Sequence, residues 1–422
     1  MCHPSVVTNP PKGYRTIEIP EARKDEFQDV EKLVFAFSAD PEVEAAWGLT
    51  LDWSRTVGLE RDGTLAAVHT SCPFTLEVPG STVACSGLTG VGVRPDHRRR
   101  GLLTSMISTH FERSLARREP LSALFASEPA IYGRFGYGSA ADNLSLTLAR
   151  GTALRTVAGS ADLDLRLESA DPAVHTDLIR TVRGVAGAGR PGWIERSASL
   201  LRAQRLVDSK AQRGGAEQLR IVTVRDAGAV RGYALFRRKE SWEAGSPAGT
   251  VQVAELAALD AAATHRLWSF LLDLDLMSTV KSPMLAVDDV LLSLLVDARA
   301  AAPRVSDNLW IRLLDVPAAL EARRYAAPVD VVLEVCDDLL PANAGRWRIC
   351  TGPVGHPAEV RATSDPADLT LDVRELGAAY LGGRSFAALA SAGLVVEHRP
   401  GALLTASTAF GWPIAPLCDW NF

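Results

Sequence analysis

The fold is decided by the stretch Gly87–Gly138, which reads LTGVGVRPDHRRRGLLTSMISTHFERSLARREPLSALFASEPAIYGRFGYG from Leu88 onward. Val83–Val93 has the apolar, Gly-rich character of a strand. From Arg99 to Arg117, the residues Leu102, Leu103, Met106, Ile107, His110 and Phe111 recur at helical spacing, which predicts a helix with one apolar face. Leu121–Ala126 is a short apolar run of the kind a buried strand uses. Pro129–Arg134 then predicts one or two helical turns opened by a proline.

Between the first strand and the helix lies Val91-Gly92-Val93-Arg94-Pro95-Asp96-His97-Arg98-Arg99-Arg100-Gly101-Leu102-Leu103-Thr104. A loop that opens a helix presents unpaired backbone N–H groups, and the helix dipole adds to their attraction for an anion. Gly101 allows close backbone approach, and the arginines neutralise a phosphate or pyrophosphate. Three arginines at a helix N-terminus are electrostatically unfavourable unless an anion is bound there; the alternative is a solvated helix start. The loop is neither G-x-x-x-x-G-K-[ST] nor G-x-G-x-x-G.

Two further positions are candidates for chemistry. Tyr132, in Ser127-Glu128-Pro129-Ala130-Ile131-Tyr132-Gly133-Arg134-Phe135, follows a buried strand beside the anion loop, where a phenol is able to donate a proton to a leaving group. An aromatic plug beneath a sheet explains Phe135 and Tyr137 equally well. The tail GWPIAPLCDWNF is aromatic enough to pack rather than fray. It ends at Phe422, whose α-carboxylate would become a proton acceptor if the tail places it in a pocket. Phe37 and Asp40 are candidate borders of an acceptor pocket, although a packed Phe and a helix-ending Asp account for them as well.

Across all 422 residues the net charge is −5, with 47% hydrophobic and 23% charged residues. That is the composition of a globular protein too long for one core, so two or three domains are expected. The acidic balance argues against nucleic acid as a partner and leaves room for a cationic substrate. The six cysteines form no C-x-x-C pair, and the eight histidines form no H-E-x-x-H, so no metal site is expected. The first residues, MCHPSVVTNPPKGY, have no basic region followed by an apolar core, and no run is long enough to span a membrane. A reducing cytoplasm is therefore the expected compartment.

Outward from the central stretch, Arg15–Ala39 carries Phe27, Val30, Leu33, Val34 and Phe37 at helical spacing, ended by Asp40-Pro41. Thr64–Ser71 and Phe74–Val78 read as paired strands separated by Cys72-Pro73 and closed by a Pro79-Gly80 turn. A second unit starts near Leu163. It has helices from Pro172 and over Glu195–Val207, strands at Leu219–Arg225, Val230–Arg237 and Val251–Leu256, and a helix over Ala261–Met277. Strands followed by a helix repeat the order of the first unit, which suggests a degenerate duplication. Where the first copy has its Arg-rich loop, the second has Ala257-Ala258-Leu259-Asp260-Ala261, and an Asp there repels phosphate. A third unit begins with LWIRLLDVPAALEARRYA at Leu309. Strands follow at Val331–Val335, Arg346–Cys350, Ala358–Ala362 and Leu369–Val373, then helical segments to about Phe410.

V-G-V-R-P-x-H-R-R-R-G-L-L followed by I-Y-G-R-F-G-Y-G resembles the Eis (enhanced intracellular survival) family of GNAT-superfamily acetyltransferases. LWIRLLDVPAALEARRYA, LGAAYLGG and the terminal Phe extend the resemblance over essentially the whole chain. It implies an α+β protein with two tandem GNAT-type domains, the second degenerate, and a sterol-carrier-protein-like α/β domain. The corresponding boundaries are 1–150, 151–308 and 309–422. The family transfers acetyl from acetyl-CoA to amines, is best known for acetylating aminoglycosides at several positions, and assembles as hexamers; a peptide lysine, polyamine or metabolite amine is the alternative acceptor. Carried over by position, acetyl-CoA falls on Val91, Gly92 and Val93 through the backbone. It also falls on Arg98, Arg99, Arg100, Gly101, Leu102, Leu103 and Thr104 at the pyrophosphate, and on Ser127 and Glu128. The general acid falls on Tyr132 and the general base on the carboxylate of Phe422. Asn421 stands where an acid is common, so the rim is less negative and the grip on polycations weaker.

Overall fold

The computed structural model describes residues 9–38, 40–48 and 50–422. Cys2 and the rest of Met1–Thr8 lie outside the described residues, as does Ala39, the expected end of the first helix. The first sheet is built from β1 (Arg15–Glu18), β2 (Val57–Arg61), β3 (Thr64–Val78), β4 (Ser81–Val93) and β5 (Leu121–Phe125). Its seven strands run β1-β2-β3-β4-β5, then Leu309–Leu313 and Gly138–Ser139. The helices of this unit are α1 (Lys24–Phe35), α2 (Pro41–Gly48), α3 (Leu102–Ala116) and the single turn α4 (Pro129–Tyr132).

Two local expectations need correction. The periodic segment is not helical from Arg15: Arg15–Glu18 forms the edge strand β1 against β2, and α1 occupies only Lys24–Phe35, stopped by Ala36 in the left-handed region at φ 54°. Nor do Thr64–Ser71 and Phe74–Val78 pair with each other. They form the single 15-residue strand β3, which folds back at Pro79-Gly80 onto β4. Pro73 is tolerated because β2 pairs only with Thr64–His69, so a missing N–H on that edge breaks no ladder. Beyond it, the Glu77 N–H donates to Trp193 O and the Gly192 N–H donates to Glu77 O, tying β3 to the second unit.

The second sheet also has seven strands: Arg304–Asp307, Asp142–Ala149, Met277–Leu285, Gly249–Ala258, Ala229–Lys239, Arg220–Asp226 and Asp164–Ser169, in spatial order. In each of the two sheets an antiparallel meander leads into a parallel pair with a helix between its strands. The pairs are β4 with β5 around α3, and Gly249–Ala258 with Met277–Leu285 around Ala261–Leu272. That last helix stops at Leu272, and Met277, expected within it, opens the parallel strand. The helix expected over Glu195–Val207 begins at Ala198 and finishes as a π-helical turn, Arg202–Leu206.

Strand exchange welds the units together. Asp142–Ala149, on the N-terminal side of the expected boundary at 150, pairs with Met277–Leu285 in the second sheet. Leu309–Leu313, expected in the third unit, pairs with β5 in the first. The sheets therefore do not follow the boundaries read at 150/151 and 308/309. A third sheet of five strands, Ala358–Ala362, Gly345–Thr351, Asp330–Cys336, Leu369–Asp372 and Val395–Glu397 in spatial order, completes the chain. Its core is continuous with that of the first sheet through Phe74, Leu76, Leu121, Ile311, Leu333, Leu376 and Trp420. Among the described residues no helix is long and apolar enough to cross a membrane, and no group of three or more His, Cys, Asp or Glu is placed to hold a metal ion.

Candidate active site

Strands β4 and β5 pair only over Cys85–Gly87 and Leu121–Ala123, after which they part. Strand β5 stays paired with Leu309–Leu313 to Phe125, while β4 continues to Val93 against β3 alone. One edge of β4 therefore faces a wedge. Within it Gly90 and Val91 oppose the single residue His69 of β3, a bulge in which Gly90 takes φ 61°. The wedge opens into a cleft of about 940 Å³ lined by Val91, Val93, Arg98, Arg99, Gly101, Leu102, Leu103 and Thr104, and by Ser127, Glu128, Tyr132 and Phe422.

At the far end of the cleft the loop closes onto α3. Arg99 and Gly101 adopt left-handed conformations, φ 60° and 80°, and no side chain caps the helix. The first N–H groups of α3 are left for a ligand. The corresponding helix in the second sheet, Ala261–Leu272, is capped internally: the Asp260 carboxylate accepts from the Ala263 N–H at 2.9 Å and from Arg231 at 2.7 Å. A carboxylate occupies there the place an anion would take.

Two expected carrier contacts do not line the cleft. Arg100 turns to the Tyr14 hydroxyl at 3.1 Å and the Asp96 carbonyl at 3.2 Å. Gly92 faces α1, where an added Cβ would lie 3.3 Å from Val34. Phe37 and Asp40 line a neighbouring cavity of about 490 Å³ together with Gln28, Glu31, Lys32, Glu44, Thr89, Asn421 and Phe422. Asp40 begins a helix rather than ending one: its carboxylate accepts from the Glu42 N–H at 2.9 Å, at the start of α2.

The tail reaches the cleft because three sets of contacts hold it. Its last ring packs edge-on against Phe74, Phe125 and Trp420, with centroids 4.8, 5.3 and 5.7 Å away. Gly87 makes room for it: a Cβ there would lie 3.0 Å from the Phe422 ring and collide with Phe74. The second unit supplies the polar grip. Asn308 exchanges hydrogen bonds with the backbone of Cys418 at 2.8 and 3.0 Å, Arg183 Nε donates to Asp419 at 2.7 Å, and Gln204 donates to Asn421 O at 3.2 Å. Trp420 is fully buried, as the aromatic tail predicts.

Burial sets the protonation of two groups. The Tyr132 hydroxyl is pushed up to about 12 by desolvation, with the Glu128 charge adding to it, so the phenol keeps its proton at neutral pH. Glu31, absent from the sequence-based candidates, lines both cavities. Desolvation raises its carboxyl to about 7. Its one legible signal was position: a Glu four residues after Phe27, on the apolar face of α1. Asn308, Arg183 and Gln204 carried no such signal, because their partner lies more than a hundred residues away.

An arginine-bearing loop that leads into an uncapped helix, a wedge beside an extended strand, Tyr132 and the C-terminal Phe422 thus share one cleft. Comparison with known proteins agrees with this geometry. Residues 15–140 and 192–313 match the acetyltransferase (GNAT) domain, and residues 316–419 match the sterol carrier protein domain. An uncharacterized N-acetyltransferase of Streptomyces coelicolor is 42% identical over 96% of this chain and its own full length. N-acetyltransferase Eis of Mycobacterium tuberculosis is 35% identical over 75% of this chain and 76% of its own. The crystal structure of Eis1 from Mycobacterium abscessus superposes with a TM-score of 0.83 at 31% identity, covering 97% of this chain and all of that one. Built as two GNAT domains followed by a sterol-carrier-like domain, the chain belongs to the Eis-type GNAT N-acetyltransferases.

Proposed function

We propose that the protein acetylates aminoglycoside amines, at more than one position, by direct transfer from acetyl-CoA bound in the β4–β5 wedge. The observation that carries this reading is that Phe422, Asn421, Glu31 and Thr89 line both the carrier cleft and the adjoining cavity. That second cavity is edged by the carboxylates of Glu31, Asp40 and Glu44, with Glu44 ion-paired to Lys32. Such a wall favours an ammonium-bearing acceptor.

In this scheme Val91 and Val93 hold the extended arm of acetyl-CoA through the strand edge, and Arg98, Arg99 and the uncapped N-terminus of α3 neutralise its pyrophosphate. Backbone N–H groups near Val93 stabilise charge developing on the thioester oxygen. The Phe422 carboxylate accepts a proton from the acceptor amine, and Tyr132 donates one to the departing thiolate. No Cys of the described residues lines either cavity, which favours direct transfer over an acyl-enzyme. Asp260, capping the second helix, makes the first unit the sole carrier site. The active form is a hexamer in the cytoplasm, by analogy with the family.

Thiol release with acetyl-CoA tests the assignment. Aminoglycosides are expected to exceed peptide lysine, polyamines and simple amines in kcat/KM, and product masses to show more than one acetyl group. Aminoglycosides falling far below the other amines would hand the site to those acceptors. Tyr132→Phe is expected to lower kcat by about a hundredfold with acetyl-CoA affinity unchanged; unaltered turnover would remove Tyr132 from the scheme.

A further inference from the structure

We propose that Glu31 is a second proton acceptor of this site, receiving the acceptor's ammonium group and taking its first proton before the nitrogen attacks. The inference rests on the acetyl-transfer reading above and adds a residue to it. Glu31 lies on the face of α1 that packs on the sheet, beside Phe27 and Val34. Its Oε1 reaches the β4 bulge: a Cβ added to Gly90 would lie 2.7 Å from it. The missing side chain at Gly90 thus leaves the space the carboxyl occupies, at the point where β4 turns its edge toward the cleft.

No hydrogen bond or ion pair engages the Glu31 carboxyl among the described residues, whereas its neighbours are taken: Lys32 pairs with Glu44, and Arg23 with Glu26 and Glu60. The side chain is half-buried and lines both cavities, so its unpaired carboxyl is open to a ligand entering either one. The groups facing it are few. Gln28 and Lys32 stand beside it on α1, Thr89 and Gly90 face it from β4, and Thr70 from β3. Asp40, Glu44 of α2 and the C-terminal Phe422 line the second cavity with it. Burial alone moves its titration to about 7, with no charge contributing.

The proton count of the reaction gives this group a task. An ammonium acceptor sheds two protons in becoming an amide, while the thiolate that leaves takes one. Glu31 accepts the first, freeing the lone pair. As the C–N bond forms and the C–S bond breaks, the Phe422 carboxylate accepts the second and Tyr132 protonates sulfur. One of the two acquired protons returns to Tyr132 and the other passes to water, which closes the balance.

The test compares wild type with Glu31→Gln, which keeps the shape that fits against Gly90. With a cationic amine, the variant is expected to lose about a hundredfold in kcat/KM while acetyl-CoA binding stays within twofold. In wild type, kcat/KM should rise with pH through about 7 as Glu31 ionises, and this limb should vanish in the variant. Hydroxylamine, already neutral at pH 7.5, should restore most of the variant's rate. A variant that keeps both its rate and its acidic limb overturns the proposal, as does equal loss with hydroxylamine and the cationic amine, which marks a structural role. Should the variant fail to fold, the wild-type profile decides: a limb near 7 upholds the proposal and its absence refutes it. Wild type inactive on every amine would instead overturn the acetyl-transfer reading, and this inference with it.

Discussion

Adding a single glycine after Phe422 tests the proposed role of the terminal carboxylate with little change elsewhere. The ring stays seated, because it meets Phe74, Phe125 and Trp420, and each aromatic pair contributes about 0.5–1.5 kcal/mol. Two hydrogen bonds between Asn308 and Cys418 hold the chain four residues earlier, at roughly 0.5–1.5 kcal/mol each. The charge, however, moves by up to ~3.8 Å, the length of one residue, which takes it out of hydrogen-bond reach of the amine it is proposed to deprotonate. A positioned general base is worth about 10²–10⁴ in rate, so kcat/KM should fall by that factor, or about 3–5.5 kcal/mol of transition-state stabilisation. The assay is thiol release over a range of amine concentrations, with acetyl-CoA affinity measured by calorimetry. Affinity should be unchanged, since the added residue lies at the acceptor end of the cleft. An extended protein with wild-type kcat/KM would refute the assignment of the base to Phe422.

Arg98→Ala and Arg99→Ala should each weaken acetyl-CoA binding by about tenfold or more, the value of a charge-assisted hydrogen bond. Arg100→Ala should have a smaller effect, because that guanidinium already serves Tyr14 and Asp96; calorimetry giving three equal losses would contradict the geometry. Asp260→Ala should cost about 0.5–2 kcal/mol of stability through the lost helix cap and leave one acetyl-CoA bound per chain; a second molecule bound to wild type would contradict the single-site reading. His69 is held down to about 3 by desolvation and the Arg113 charge, and His110 well below its usual range by desolvation first, then by the adjacent His69 ring and the Arg117 and Arg55 charges. Both must stay neutral in the fold, so their contribution is complete above the unfolded value near 6.5. It is lost as pH falls from there toward their folded values, at about 1.4 kcal/mol per pH unit for each. Thermal unfolding at pH 7 and 5.5 should show that loss, with a shallower slope in His69→Leu; equal slopes would contradict it.

What the sequence determined by itself was everything carried by local pattern. Helical spacing from Arg99 to Arg117 and the apolar run at Leu121 placed α3 and β5 to within three residues at each end. The Arg cluster closed by Gly101 marked the loop that opens α3 without a side-chain cap, and Asp260 marked the copy whose helix is capped by its own carboxylate. Errors fell where distant partners overrule local preference. Arg15–Glu18 is a strand because Val57–Glu60 lies beside it, and β3 runs through Pro73 because that edge lacks a neighbouring strand. Gly92, in β4, faces Val34 of α1, and the Arg100 guanidinium is held by Tyr14 and Asp96, so neither lines the cleft, and no spacing rule contains those partners. Only tertiary structure decided that Asp142–Ala149 and Leu309–Leu313 change sheets, and that the second unit grips the tail through Arg183, Gln204 and Asn308. It alone brought Glu31 and Phe422, nearly four hundred residues apart, to line the same cavities. Periodicity records which face of an element is apolar; which faces meet depends on long-range pairing and packing that no single stretch of the chain encodes.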